Sequence, residues 1–164
     1  MDTPDVAAAA AVHRLVDRRE TLATAESLTG GLVAATVVEI PGVSSVYRGG
    51  LVVYATDLKH ALAGVAQDLL DERGPVDPDV AAGLARGARE RCSADWGLAT
   101  TGVAGPEPQD GKPVGLVYVA CAGPWGETVR ELKLGGNRAA IRTESVTSAL
   151  LLLADCLREA PARS

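Results

Sequence analysis

The chain has 164 residues, enough for one domain with a substantial core, and its 47% hydrophobic and 23% charged content is ordinary for a soluble globular protein. Phenylalanine is absent and aromatics make up 3%, so the core must be aliphatic. A net charge of −5 argues against a nucleic-acid groove, which carries a basic patch and stacking aromatics, but leaves room for an anionic small ligand.

Residues 5–19 carry Val6, Ala9, Ala10, His13, Leu15 and Val16 at mostly helical spacing and predict an opening helix. Residues 21–25 read as a short buried strand, followed by a helix over 30–40 that Pro41-Gly42 ends. A second strand spans 47–54, with Gly49-Gly50 marking a bulge or a close backbone approach. Asp57 is placed to cap a helix bearing Lys59, Ala61 and Leu62, and 67–72 is another short helical piece. Gly74-Pro75-Val76-Asp77-Pro78 breaks the chain, with Asp77 capping and Pro78 opening a helix to about residue 92. Residues 96–101 form a third strand that runs into the loop 101–106, and 107–112 are polar and expected to be mobile. Strands at 114–122 and 127–134 flank a turn at Pro124-Trp125-Gly126. Gly135-Gly136-Asn137 opens a long helix to about 159, and residues 161–164 are expected to fray.

Strands alternating with helices, closed by an adjacent strand pair, indicate a single α/β domain over 1–164. Its expected architecture is a three-layer α/β/α arrangement with a mixed, mostly parallel sheet. Cys92, Cys121 and Cys156 are odd in number, widely spaced and without a C-x-x-C or zinc pattern, so free buried thiols and no metal site are expected. The acidic start Met1-Asp2-Thr3-Pro4-Asp5 lacks the basic region of a signal peptide, and the apolar run 149–154 is too short to span a bilayer. A cytoplasmic protein without a membrane partner is the expectation.

The order strand, sharp turn, helix around Thr24-Ala25-Glu26-Ser27-Leu28-Thr29-Gly30-Gly31 is where chemistry is most concentrated. A serine there can be held at a strand end beside N–H groups of a helix start, which suit an oxyanion or a phosphate. The turn is not a G-x-S-x-G elbow, and Ser27 taken alone also fits a helix cap, with Glu26 accepting backbone hydrogen bonds and the glycines easing packing. Histidine is scarce: His13 lies in the first helix and His60 directly follows a lysine. Lys59 is the better base, although most lysines lie on solvated faces. Lowering its pKa from ~10.4 to ~7.5 would cost about 4 kcal/mol of differential solvation or charge interaction. Tyr54 fits either a partner of the pair or a core-edge tyrosine.

Two further groups suit an anion. The loop after the third strand, with Thr101, Gly102 and Gly105, can aim consecutive N–H groups at one. Arg138 and Arg142, four apart near a helix start, could hold a phosphate or instead pair with Glu131 or Glu144.

The blocks A-E-S-L-T-G-G (25–31), R-G-G-L-V-V-Y-A-T-D-L-K (48–59), G-P-V (74–76), T-G-V-A-G-P (101–106) and K-P-V-G-L-V-Y (112–118) together resemble the CinA C-terminal domain family. The resemblance runs over about residues 7–158. Enzymatically characterised members of that family are nicotinamide mononucleotide amidases. The resemblance implies hydrolysis of the carboxamide to nicotinate mononucleotide and ammonia, in pyridine nucleotide salvage. Ser27 then corresponds to the nucleophile, Lys59 to the general base and Tyr54 to a supporting tyrosine. Thr29, Gly30, Gly31, Thr101, Gly102 and Gly105 are expected to border the substrate. Arg142 is the better match for the family's arginine and Arg138 the second. No cofactor or metal is implied, and the expected partner is a small-molecule nucleotide, with homo-oligomerisation left open. The chain departs from the family at Glu107-Pro108-Gln109-Asp110-Gly111, where relatives carry a more glycine-rich stretch. The resemblance does not extend to the larger N-terminal domain of full-length CinA, which resembles molybdopterin-binding proteins, and no role tied to that domain is expected. Two other readings stay open: an amidase or esterase using the same dyad on another small substrate, and a non-catalytic nucleotide-binding module.

Overall fold

In the computed structural model, which describes residues 2–162, helix α1 (Pro4–Arg18) begins at Thr3, whose hydroxyl accepts the Val6 N–H, and ends at Arg19 in the left-handed region. Strand β1 (Leu22–Glu26) is buried along its whole length, as an inner parallel strand covered on both faces must be. Helix α2 (Leu32–Val38) and a single 3-10 turn (Val43–Ser45) lead into β2 (Tyr47–Val52). Two short helices, α3 (Thr56–Ala61) and α4 (Gln67–Arg73), precede α5 (Pro78–Arg91). Asp77 caps α5 by accepting from the Asp79 and Val80 N–H groups, as its position before Pro78 predicts. Strand β3 (Trp96–Gly102) and the hairpin of β4 (Leu116–Gly123) and β5 (Gly126–Lys133) complete the sheet. Helix α6 (Arg138–Glu159) is capped by the Asn137 side chain on the Ala140 N–H.

The five strands lie in the order β2-β1-β3-β4-β5. Pairs β2/β1 and β1/β3 are parallel and pairs β3/β4 and β4/β5 antiparallel, so only β4 opposes the common direction. This is the mixed, mostly parallel sheet that the alternation of elements predicts. Side chains alternate between two cores, one on each face. Leu22, Leu98, Val117 and Val119 point to the core under α1, α2 and α6, while Ala23, Ala25, Ala99 and Ala120 point to the core under α5. The β1/β2 register slips between Leu22 and Ala23, and a Cβ on Gly50 would overlap the Thr24 hydroxyl, so the glycine pair marks both a bulge and a close approach.

Three local expectations are corrected. The buried stripe of α1 is Ala7, Ala8, Ala11, Val12 and Leu15, whereas Val6 is 57% exposed and His13 faces out. In an alanine-rich helix several stripes are nearly equivalent, and packing on α6 selects one of them. Helix α3 starts two residues earlier than expected, with Ala55 at the N-cap and no side-chain cap. Asp57 therefore lies inside the first turn, where its charge still meets the positive helix end. The segment 107–112 folds into a tight turn. Gln109 and Lys112 exchange N–H···O bonds of 3.1 and 2.8 Å around Asp110 and Gly111, both at positive φ. The Asp-Gly pair is the signal for that turn. Residues 163 and 164 of the segment expected to fray lie outside the described residues, and no described helix is long and apolar enough to cross a membrane.

Candidate active site

Strands β1 and β3 run parallel and end side by side at Glu26 and Gly102, and the crevice beyond such carboxyl ends is where open α/β sheets bind ligands. Ser27 is the first residue past β1. Its N–H donates to the Thr100 carbonyl of β3 at 3.1 Å, which holds it at the sheet end with 7% of its surface exposed. Its hydroxyl does not cap α2. Instead Lys59, reaching in from α3, donates from Nζ to Ser27 Oγ at 2.9 Å, to the Val53 carbonyl at 2.8 Å and to the Tyr54 carbonyl at 3.3 Å. Lys59 is 1% exposed, and no ion pair among the described residues includes it. Burial without a compensating carboxylate disfavours the ammonium and lowers its pKa from 10.5 to about 8.

The turn that presents Ser27 is built by its neighbours. The buried Glu26 carboxylate accepts from the Thr29 hydroxyl at 2.6 Å, the Val33 N–H at 2.8 Å and the Ala34 N–H at 3.0 Å. It thereby closes the start of α2, whose N-cap, Gly31, has no side chain to offer. The Thr29 hydroxyl also bonds the Thr100 hydroxyl at 2.8 Å, and the Gly30 N–H donates to the Ser27 carbonyl at 3.0 Å. Arg142 donates to the Leu28 and Thr29 carbonyls at 2.9 and 3.1 Å. Thr29, Gly30, Gly31 and Arg142 hold the turn from behind and do not line the cavity in front of Ser27.

That cavity, of about 100 Å³, is bordered by Ser27, Lys59, Tyr54 and Arg138, with the backbone of the 101–105 loop opposite. Arg138 donates to the Tyr54 hydroxyl at 2.9 Å and to the Gly105 carbonyl. Against the sequence preference for Arg142, α6 aims its first residue, Arg138, at the cavity and turns Arg142 onto the backbone. Neither arginine pairs with Glu131, which accepts the Tyr118 hydroxyl. Tyr54 is 59% exposed, and its carbonyl rather than its hydroxyl touches Lys59, so the serine and lysine meet without a relay through it. Thr101 and Gly102 line the cavity, and the Thr101 hydroxyl donates to the Pro75 carbonyl at 2.7 Å, tying the loop to the 74–76 segment. The Val103 N–H is spent on the Leu116 carbonyl.

Sequence reasoning assigned no part to Pro75, Val76, Glu107 or Gln109, all of which line the cavity. The G-P-V block marked the first two without a role, and the departure at 107–111 marked the others. Thr100 was missed because a buried threonine inside a strand carries no local signal. His60 is turned away, with Nδ1 on the Val65 carbonyl. Among the described residues no three His, Cys, Asp or Glu are grouped to hold a metal ion. The arrangement sets a serine hydroxyl against a buried amine whose charged form is disfavoured, in a cavity lined also by Arg138 and Glu107.

Comparison with known proteins agrees with this architecture. The family model for the CinA C-terminal domain matches residues 5–157. A CinA-like protein of Frankia casuarinae is 49% identical over 147 residues, covering 90% of this chain and 34% of that protein. A CinA-like protein of Gloeobacter violaceus is 45% identical over 152 residues, covering 91% and 36%. The chain thus spans about a third of the length of these curated relatives. The crystal structure of the competence/damage inducible protein CihA from Agrobacterium tumefaciens superposes with a TM-score of 0.91 at 34% identity, covering 97% of this chain and 98% of that one. A competence-damaged protein (CinA) superfamily protein from Escherichia coli gives 0.89 at 32% identity, covering 93% and 90%. With a match over nearly the whole chain, the protein belongs to the CinA C-terminal domain family.

Proposed function

We propose that the chain hydrolyses the carboxamide of nicotinamide mononucleotide to nicotinate mononucleotide and ammonia, with Ser27 as nucleophile and Lys59 as general base. The observation that carries this reading is the 2.9 Å contact between Lys59 Nζ and Ser27 Oγ, made by a buried lysine with no acidic partner among the described residues. A serine is a weak nucleophile until a base takes its proton, and a lysine does so only when neutral. With a pKa of about 8, roughly a tenth of Lys59 is neutral at pH 7, against well under a thousandth for an ordinary lysine.

Neutral Lys59 accepts the hydroxyl proton as Ser27 Oγ attacks the amide carbon. N–H groups of the 102–105 loop other than that of Val103 are the better donors for the oxyanion, because the Val103 and Gly30 N–H groups are already used on the Leu116 and Ser27 carbonyls. Lys59, now protonated, gives the proton to the departing amine, which leaves as ammonia. A water molecule deprotonated by Lys59 then attacks the acyl-serine and releases the carboxylate, and Ser27 recovers its proton. Arg138 on the cavity wall suits a phosphate through charge-assisted hydrogen bonds. The choice of substrate rests on the family resemblance, and the dyad geometry supports the reaction class.

The test is ammonia release by the purified protein from nicotinamide, its riboside and its mononucleotide, with Ser27→Ala as control. Release from the mononucleotide alone, lost in Ser27→Ala, is the expected result. No release from any of the three removes the amidase reading, and equal release from all three makes it a broader amidase.

A further inference from the structure

At the opposite end of α6, the fold brings together two cysteines that are 35 residues apart in sequence. Cys121 is buried on β4, on the same sheet face as Val117 and Val119, with Thr128 of β5 directly across the ladder. Helix α6 covers that face and sets Cys156, three residues before its end, over both. Cys156 packs against the buried cluster that contains Cys121, and Thr128 lies beside both. An ion pair of 2.8 Å between Arg130 on β5 and Asp155, next to Cys156, holds the helix in place. Both thiols line a cavity of about 260 Å³ with Trp96, Trp125, Thr128 and Glu159, which admits a small oxidant.

We propose that Cys121 and Cys156 are a peroxide-oxidisable thiol pair that closes into a disulfide stapling α6 to β4. The two sulfurs are not equivalent, which sets the order of events. The neighbouring Cys121 thiol, with Thr128 and the Arg130 charge, outweighs burial and the opposing charge of Glu159 and holds the Cys156 thiol at about 7. Its Cys156 neighbour and its burial both push Cys121 up. Cys156 is therefore the attacking thiolate and Cys121 the resolving thiol. The Cys156 sulfur attacks one peroxide oxygen, the O–O bond breaks, and Cys156 becomes a sulfenic acid while hydroxide leaves. The Cys121 sulfur then attacks the Cys156 sulfur, the S–O bond breaks, and the Cys121 proton leaves with the departing hydroxide as water. Two thiols and one hydrogen peroxide give one disulfide and two waters. Cys92 packs against the core on the other face of the sheet and takes no part.

The 164-residue chain is treated with hydrogen peroxide, then analysed by intact mass, by thiol titration after denaturation and by peptide mapping. Free thiols are expected to fall from three to one, with a mass loss of two hydrogens and a crosslinked pair of peptides containing Cys121 and Cys156. The Cys92→Ser variant should lose both of its remaining thiols in the same way. Cys121→Ser should stop at a Cys156 sulfenic acid that dimedone captures, and Cys156→Ser should leave Cys121 unreacted. Three thiols surviving a dose that oxidises a small free thiol overturns the proposal. So does Cys156 carried to the sulfinic acid beside an intact Cys121 thiol, or a disulfide joining two molecules. Should a buried-site variant fail to fold, the wild-type and Cys92→Ser masses decide.

Discussion

Glu26 and Lys59 follow or end neighbouring parallel strands, and each is 1% exposed, but their burial serves different ends. The Glu26 carboxylate takes a hydroxyl and two N–H groups at a helix start, so its charge is matched where it stands. Lys59 gives its hydrogens to two carbonyls and one hydroxyl, none of them charged, and its ammonium is disfavoured. A buried ionisable group whose hydrogen bonds match its charge is a structural pin, and one left without a counter-charge becomes a base. The lowered lysine pKa amounts to about 3 kcal/mol of stability forgone at neutral pH.

The largest effect expected from this contrast is on activity. Ser27→Ala and Lys59→Arg should each lower kcat/KM by roughly a thousandfold or more in the ammonia-release assay, with an unchanged circular dichroism spectrum. The guanidinium of Lys59→Arg stays protonated and cannot accept the serine proton. A Lys59→Arg protein with more than a tenth of wild-type turnover points to another base.

Glu26→Ala removes all three acceptor contacts at once and should cost about 3–5 kcal/mol in urea unfolding, because the donors at the start of α2 stay buried. A loss below ~1 kcal/mol means that water replaces the carboxylate and that Glu26 is not a pin.

The two arginines divide in the same way. Arg138→Ala should lower kcat/KM for the mononucleotide by about ten- to a hundredfold with little change in stability. Arg142→Ala should instead cost about 1–3 kcal/mol of stability, through the lost bonds to the Leu28 and Thr29 carbonyls. The reverse pattern on the same pair of measurements returns Arg142 to the ligand side.

The smallest effect is in pH dependence. A base with a pKa of about 8 predicts a roughly tenfold rise in rate between pH 7 and 9. Stability moves in the same direction. Below pH 8 folded and unfolded lysine are both protonated and the burial penalty is complete. As pH rises from about 8 towards ~10.4 the unfolded state alone holds the proton, so the wild type should gain stability relative to Lys59→Met. A flat difference over that range means that the folded lysine keeps its proton.

Caps, turns and strand runs were legible because each depends on a few adjacent residues. Asp77 before Pro78, and Asn137 at the head of α6, satisfy orphan N–H groups wherever the helix goes. The five motif blocks similarly carried the serine, the lysine and the cavity loop. The Asp110-Gly111 turn was equally local and was overlooked among polar neighbours.

Element order and type, the mixed sheet and the chemistry-bearing residue types were thus present in local propensity and spacing. The 2.9 Å approach of Lys59 to Ser27 was not, because it depends on β2 lying beside β1 and on α3 folding back over the strand ends. Nor was the choice between Arg138 and Arg142, which one helical turn separates and only the rotation of α6 on the sheet distinguishes. The meeting of Cys121 with Cys156 has the same origin, in α6 covering β4. Spacing along the chain says which residues share a face of one element, whereas which face meets which neighbour is settled by packing the whole core.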